Sequence, residues 1–253
     1  MSAHADLPPA GNPDALRFTG VTKAYGATPA LDGFSLGVPR GELFGLVGGN
    51  GAGKTTLIKC LLDFCETDSG EIRLFGASHR LTASRSQLAF LPERFNPPHY
   101  LTGRDFLRYM AKMHRTEYDE GRVAGMFARL DLQPDALTRP ARTYSKGMTQ
   151  KLGLAACLLS GKPLQVLDEP TSGLDPKARA LLKRELRAAR DAGGSVFFTS
   201  HALADVEEIC DRMAVLHAGR VRFAGTPSEL KHRFGSPDLE AAFLACVAGE
   251  APS

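Results

Sequence analysis

The sequence lacks any apolar run long enough to cross a membrane. Its apolar runs, such as residues 152–159, are about half the 18 to 20 residues that a membrane-spanning helix needs. The first fifteen residues, MSAHADLPPAGNPDA, also lack the apolar segment of a secretory signal peptide. We therefore expect a protein that works from the cytosol and does not itself cross a membrane.

Cysteines are few and charge is nearly balanced. The five cysteines contain no C-x-x-C pair, which argues against a disulfide framework or a zinc site and favours buried or unreactive reduced thiols. The 31 Lys and Arg against 28 Asp and Glu leave a charge of +3, too little to indicate a nucleic-acid partner. With 43% hydrophobic and 23% charged residues over 253 positions, the composition is that of a globular protein with one large domain or two small ones.

The pattern of apolar residues predicts an α/β domain over residues 16–226. Residues 1–15 are expected to form a flexible tail. Residues 16–38 alternate like antiparallel strands, residues 93–160 show helical periodicity, and strands alternate with helices after residue 160. Such alternation predicts a mostly parallel sheet covered by helices on both faces, with an inserted helical subdomain. Residues 227–253 are predicted to form a short C-terminal helical extension.

A glycine-rich segment follows the apolar strand predicted at residues 42–47. Residues 48–55, GGNGAGKT, fit the pattern G-x-x-x-x-G-K-[ST] between a strand and a helix. The glycines let backbone N–H groups approach phosphate oxygens, Lys54 is expected to reach the β- and γ-phosphates, and the Thr55 hydroxyl is expected to bind Mg²⁺. The predicted nucleotide-binding residues here are Gly48, Asn50, Gly51, Ala52, Gly53, Lys54, Thr55 and Thr56.

Two carboxylates follow a second apolar strand, predicted at residues 164–167. Asp168 is expected to hold the Mg²⁺ ion through its water shell, and Glu169 to polarise the attacking water. Gln165 is unusual in a buried strand, so we expect it to lie against a polar neighbour.

A third segment, YSKGMTQ at residues 144–150, precedes these carboxylates. The glycine-rich segment, YSKGMTQ and the two carboxylates follow one another in this order along the chain. Together they resemble the motifs of the ATP-binding subunits of ABC transporters, over roughly residues 16–225. The resemblance implies a P-loop NTPase core of RecA-like α/β fold, with an antiparallel β subdomain and the inserted helical subdomain. It also implies ATP and Mg²⁺ as cofactors, a homodimer of ATPase subunits, and a polytopic membrane subunit (permease) whose transport is powered by ATP hydrolysis. The chain would then lie at the cytoplasmic face of the plasma membrane.

The resemblance assigns roles to residues outside the P-loop. Tyr25 falls at the position of the aromatic residue that stacks on adenine. Ser145 and Gly147 fall at the signature positions that contact the γ-phosphate held by the opposite subunit, ahead of a signature helix expected at residues 151–159. Residues 172–175 resemble the D-loop, and His201 the switch histidine, which together with Glu169 would be catalytic.

The sequence departs from the family pattern at two places. The signature reads Tyr-Ser-Lys-Gly-Met instead of Leu-Ser-Gly-Gly-Gln, with Ser145 and Gly147 retained. Glu93 stands where the Q-loop has glutamine, and its carboxylate can approach Mg²⁺ or a bound water. The Leu-Pro-Glu variant and the short segment after His201 resemble the ABC-2 type exporters of drugs and polysaccharides. The loop at residues 93–100 is expected to dock the membrane subunit, because its apolar side chains have no evident core to fill.

Other functions fit the sequence less well. Soluble ABC-type ATPases that act on ribosomes or DNA usually carry two cassettes, long coiled coils or zinc elements, and this sequence has none of them. A nucleotide switch without turnover is disfavoured by Glu169 and His201. A P-loop GTPase is disfavoured because no N-K-x-D motif occurs.

Overall fold

The computed structural model describes residues 14–249, so most of the predicted tail and the last four residues lie outside it. The tail prediction is wrong for Asp14 and Ala15, which are both buried. The backbone of Ala15 donates to Val38 and accepts from Phe75, and the carboxylate of Asp14 pairs with Arg17. These bonds fix the chain two residues before the first strand.

Strands and helices alternate through the described residues. In chain order they are β1 (Leu16–Tyr25), β2 (Thr28–Val38), β3 (Leu43–Val47), α1 (Lys54–Leu61), β4 (Ser69–Leu74), β5 (Ala77–Ser78), α2 (Thr82–Arg85), β6 (Leu88–Leu91), α3 (Gly103–His114), α4 (Glu120–Arg129), α5 (Lys146–Leu159), β7 (Leu164–Leu167), α6 (Pro176–Asp191), β8 (Ser195–Ser200), α7 (Leu203–Ile209), β9 (Arg212–His217), β10 (Arg220–Gly225), α8 (Pro227–Arg233) and α9 (Leu239–Ala248). Two 3₁₀ turns, Pro134–Leu137 and Ala141–Thr143, separate α4 from α5. None of the helices in residues 14–249 has the length and apolar character needed to span a bilayer.

The strands form two sheets, as predicted. One is antiparallel, in the order β2-β1-β4-β5. The other has the order β10-β9-β3-β8-β7-β6 and is parallel except for β10, which pairs with β9 as a hairpin that the sequence analysis did not predict. Because β3, β8, β7 and β6 are adjacent and parallel, their carboxyl ends meet at one edge of the sheet.

Both faces of the parallel sheet are covered. Along β3, Leu43 and Val47 belong to a core that includes the helices α3 to α7, whereas Phe44 and Leu46 belong to a second core shared with α1 and the antiparallel sheet. All five residues of β3 are buried. This explains its continuous apolar sequence, which is typical of a strand buried on both faces.

Gln165 in β7 is buried. Its Nε2 donates to the carbonyl of Lys162 at 2.6 Å, so a polar neighbour is present, as expected. Among residues 14–249, its Oε1 finds no hydrogen-bond partner. The side chain therefore uses one of its two N–H donors and neither acceptor lone pair.

Two details of the helical region differ from the prediction. Helix α5 begins at Lys146, not residue 151, because the Ser145 hydroxyl caps it by accepting from the Met148 N–H at 3.2 Å. The loop at residues 93–100 does have a core to fill, since the Phe95 ring lies 5.5 Å from that of Phe106 and packs against the helical core. Tyr100 in the same loop is 68% exposed.

Candidate nucleotide site

The P-loop connects the carboxyl end of β3 to the first turn of α1. Gly53, just before the helix, has φ = 114°, and a Cβ there would lie 2.4 Å from the carbonyl oxygen of Ala30, so only glycine fits. Helix α1 thus begins immediately after a tight turn, and the free N–H groups of its first turn are directed at the loop. The Lys54 ammonium donates to the carbonyl of Gly48 at 2.5 Å.

The two predicted carboxylates follow β7, on the same sheet edge. Asp168 and Glu169 are only 6% and 7% exposed. An oxygen of Glu169 lies 3.5 Å from the Lys54 ammonium. The strand register therefore brings together the P-loop lysine and the carboxylates, which are more than 110 residues apart in sequence.

Glu169 has a strained backbone. Its φ is 48°, in the left-handed region that residues other than glycine seldom adopt, and such strain occurs often at functional sites. The carboxylate is held by His201, which follows β8. The Nδ1 of His201 lies 2.7 Å from Glu169 Oε2, and the His201 backbone N–H donates to the same oxygen at 3.2 Å.

Thr199, in β8, links the two carboxylate residues and was missed by the sequence analysis. Its hydroxyl donates to Asp168 Oδ1 at 2.6 Å and accepts from the Glu169 N–H at 2.9 Å. Thr199 is fully buried. In the sequence, Thr199 is visible only as a polar residue after the apolar run VFF. Its partners, Asp168 and Glu169, become evident only from the pairing of β7 with β8.

Burial raises the pKa of Asp168 above its usual range. The Thr199 hydrogen bond opposes this, whereas the carboxylates of Glu169 and Glu93 raise the pKa of Asp168 further. Glu93, two residues beyond β6, is therefore close enough to add to the negative charge of the site. A cation would relieve the repulsion among the three carboxylates.

These residues surround one open cleft of about 250 Å³. Its lining contains donors for phosphate oxygens as well as hydroxyl and carboxylate oxygens, the ligands that Mg²⁺ prefers. The set therefore fits a nucleotide with its metal ion. The lining residues are Ala30, Gly49, Asn50, Gly51, Ala52, Gly53, Lys54, Thr55, Thr56, Glu93, Asp168, Glu169 and His201.

Comparison with known proteins agrees with this geometry. The profile of the ABC transporter family matches residues 31–172, more than half of the chain. The chain belongs to the ABC transporter family. It is an ATP-binding cassette, and its α/β fold with a P-loop is the one that the resemblance implied.

Individual relatives are similar over most of the cassette. An uncharacterized ABC transporter ATP-binding protein of Synechocystis is 38% identical over 79% of this chain and 58% of its own length. The daunorubicin/doxorubicin resistance ATP-binding protein DrrA of Streptomyces peucetius is 36% identical over 88% of this chain and 68% of its own. A solved structure of an ATP-binding subunit of an ABC transporter is 29% identical, with a TM-score of 0.81 over 92% of this chain and 99% of that one. The cassette thus spans less than two thirds of the Synechocystis relative.

Four of the predicted site residues lie outside the cleft lining: Gly48, whose carbonyl accepts from Lys54, and Tyr25, Ser145 and Gly147. Tyr25, at the end of β1, is 51% exposed, and its hydroxyl lies 3.8 Å from the sulfur of Cys65. Ser145 and Gly147 are at the start of α5 and do not line the cleft of their own chain. In the predicted D-loop, Asp175 caps α6 by accepting from the Ala178 N–H at 2.9 Å.

Proposed function

We propose that this cassette hydrolyses ATP and thereby powers export through a separate membrane subunit. One observation carries the proposal. The ends of four adjacent parallel strands, β3, β6, β7 and β8, bring a P-loop, three carboxylates and a histidine to one cleft. Ligands bind at this edge of open α/β sheets.

In the proposed mechanism Lys54 changes partners when ATP binds. In the structure, its ammonium contacts the Gly48 carbonyl and the Glu169 carboxylate at the N-terminus of α1. Phosphate oxygens, with their greater negative charge, would replace these contacts, while the N–H groups of the P-loop donate to the same phosphates. Thr55 and Asp168 would hold Mg²⁺, with Glu93 close to them. Bound Mg²⁺ would neutralise the charge that develops on the phosphates during transfer.

Glu169 is the proposed general base. Once Lys54 turns to the phosphates, its carboxylate would be free to accept a proton from the attacking water. His201 holds one oxygen of this carboxylate at 2.7 Å, so the other oxygen would face the water. The same histidine would reach the γ-phosphate from the end of β8.

A dimer would complete the site. Ser145 and Gly147 stand at the N-terminus of α5, whose free N–H groups attract anions, yet they do not line their own cleft. Their proposed ligand is the γ-phosphate held by the partner subunit in a head-to-tail homodimer. Closure of the dimer would exclude water and couple hydrolysis to assembly.

The membrane subunit is proposed to dock on the loop at residues 93–100. Exposed Tyr100 and Arg94 support this, whereas Phe95 packs inward and is not available. The name of the Streptomyces relative refers to drug resistance, which export of a drug would provide. The cassette would then lie at the cytoplasmic face of the plasma membrane.

Co-purification tests this proposal. The tagged full chain, solubilised from membranes in mild detergent, should retain a polytopic membrane protein. Arg94→Glu should weaken that association, and Arg115→Glu, an exposed change at the far end of α3, should not. Retention of ribosomal particles or DNA in place of a membrane protein would overturn the assignment.

A further inference from the structure

Two of the five cysteines lie next to each other beside the P-loop helix. The sulfurs of Cys60 and Cys65 are 3.4 Å apart. Both are free thiols, Cys60 buried in the last turn of α1 and Cys65 half-buried in the segment that follows. Both are reduced, as the sequence predicts, but their spacing in the sequence did not predict this contact.

The end of α1 explains why they meet. Asp63 has φ = 62°, and the N–H groups of Phe64 and Asp63 donate to the carbonyls of Lys59 and Cys60. This is the hydrogen-bond pattern of a Schellman motif, which reverses the chain at a helix C-terminus. The reversal places Cys65 over the turn that carries Cys60. The cap is built from backbone bonds and does not involve the thiols.

Cys65 is also connected to the predicted adenine-stacking residue. The Tyr25 hydroxyl donates to Cys65 Sγ at 3.8 Å, and this bond raises the pKa of Tyr25. Asp68, three residues after Cys65, accepts from the Ala24 N–H at 2.7 Å and from Lys23 at 2.9 Å. The segment that holds Cys65 is therefore bonded to the end of β1 at several points around Tyr25.

We propose that Cys60 and Cys65 are an oxidation site, at which a peroxide forms an intrachain disulfide that weakens ATP binding through Tyr25. The effect on ATP binding rests on the proposed function and on the predicted adenine-stacking role of Tyr25. A disulfide brings its sulfurs from 3.4 Å to about 2.05 Å, and we expect the half-buried Cys65 Sγ to shift from its place beside the Tyr25 hydroxyl.

The chemistry balances with a peroxide as oxidant. The more accessible Cys65 reacts first: its thiolate attacks one peroxide oxygen, the O–O bond breaks, hydroxide leaves, and a sulfenic acid remains. The sulfur of Cys60 then attacks the sulfenic sulfur, the S–O bond breaks, and the thiol proton leaves with the hydroxyl as water. Two thiols and one hydrogen peroxide thus give one disulfide and two waters. Burial raises the pKa of Cys60 to about 12, so this thiol is seldom ionised and its attack is the slower of the two steps.

Mass spectrometry tests whether the disulfide between Cys60 and Cys65 forms, independently of ATP binding. The full chain is treated with hydrogen peroxide under native conditions, its remaining thiols are alkylated, and it is digested with trypsin. Both cysteines fall on one tryptic peptide, because the flanking cleavage sites are Lys59 and Arg73. We expect this peptide without alkylation and lighter by two hydrogens. Cys157, Cys210 and Cys246 serve as internal controls and should remain alkylatable after unfolding.

Calorimetric titration with MgATP tests whether the disulfide weakens ATP binding. Oxidation should weaken ATP binding about three- to tenfold, the factor that corresponds to loss of one hydrogen bond, and dithiothreitol should restore it. Cys60→Ala, or Cys60→Ser if the smaller side chain destabilises the chain, should bind ATP normally and lose its response to peroxide. Tyr25→Phe should still form the disulfide but show no further loss of affinity.

Three results would overturn the proposal: no disulfide in the 60–73 peptide, a disulfide with unchanged ATP affinity, or an equal loss of affinity in the Cys60 variants. If the reduced wild type failed to bind ATP, the proposed function would fail, while the mass measurement would still decide whether the thiol pair oxidises.

Discussion

Replacing Thr199 by valine tests the link between the two carboxylate residues. Valine has nearly the same shape and favours strands as threonine does, so the change removes the hydroxyl and little else. The Glu169 N–H would lose its acceptor, and Asp168 would lose a donor at 2.6 Å, both in a fully buried place. The experiment therefore isolates two hydrogen bonds.

Their loss should destabilise the fold measurably. A buried donor without a partner costs about 1–3 kcal/mol, and a hydrogen bond to a charged group contributes about 1.5–3 kcal/mol. Water in the cleft can solvate Asp168 in part, so we expect the free energy of unfolding to fall by about 2–3 kcal/mol. Turnover of ATP should fall about tenfold or more, because the strained Glu169 backbone loses its anchor.

Urea denaturation followed by circular dichroism measures the change, with ATPase assays on the same samples. Thr199→Ser is the matched control: it keeps the hydroxyl and should lie within about 1 kcal/mol of the wild type. Equal stability of the valine and serine variants would refute the reasoning, since the hydroxyl would then contribute nothing.

Three further predictions concern single side chains. Lys54→Ala should weaken ATP binding about 10- to 100-fold, the equivalent of a charge-assisted hydrogen bond, in calorimetric titration; unchanged affinity would exclude its role at the phosphates. His201→Ala should lower turnover about 100-fold or more while the Kd for ATP changes little, and a large loss of affinity would contradict the catalytic role. Burial lowers the pKa of His79 below 6.5, so the folded state favours its neutral form. Its contribution to stability is therefore complete above pH 6.5 and is lost as the pH falls through the folded-state pKa. Urea midpoints at about pH 7.5 and 5.5 should differ less in His79→Gln than in the wild type; an identical difference would show that His79 does not contribute.

The residues at the edge of the parallel sheet could be predicted from the sequence because each one belongs to a short local motif. A P-loop, a pair of carboxylates and His201 each follow an apolar strand, and parallel strands align their carboxyl ends. What the sequence did not predict depends on contacts between distant segments. Thr199 meets Asp168 only through the register of β7 with β8.

Local geometry that depends on a single hydrogen bond was also missed. The sequence analysis expects the helix at residues 151–159, whereas α5 begins at Lys146, because the N-cap at Ser145 is not apparent from the sequence pattern. The contact between Cys60 and Cys65 depends on a left-handed Asp63, which a sequence pattern does not reveal. The positions of Tyr25 and Ser145 outside the cleft lining are known from the structure, but their roles stay predictions.

Turnover by Glu169→Gln tests the central claim most directly. The glutamine keeps the size of the side chain, and its one oxygen can still accept from His201, but it loses the contact with Lys54 and cannot accept a proton as the carboxylate does. We predict that single-turnover and steady-state hydrolysis fall about 100-fold or more, while ATP binding persists and an ATP-bound dimer accumulates in light scattering. Turnover at the wild-type rate would contradict the account, because the cleft would then hydrolyse ATP without the base that we assign to it.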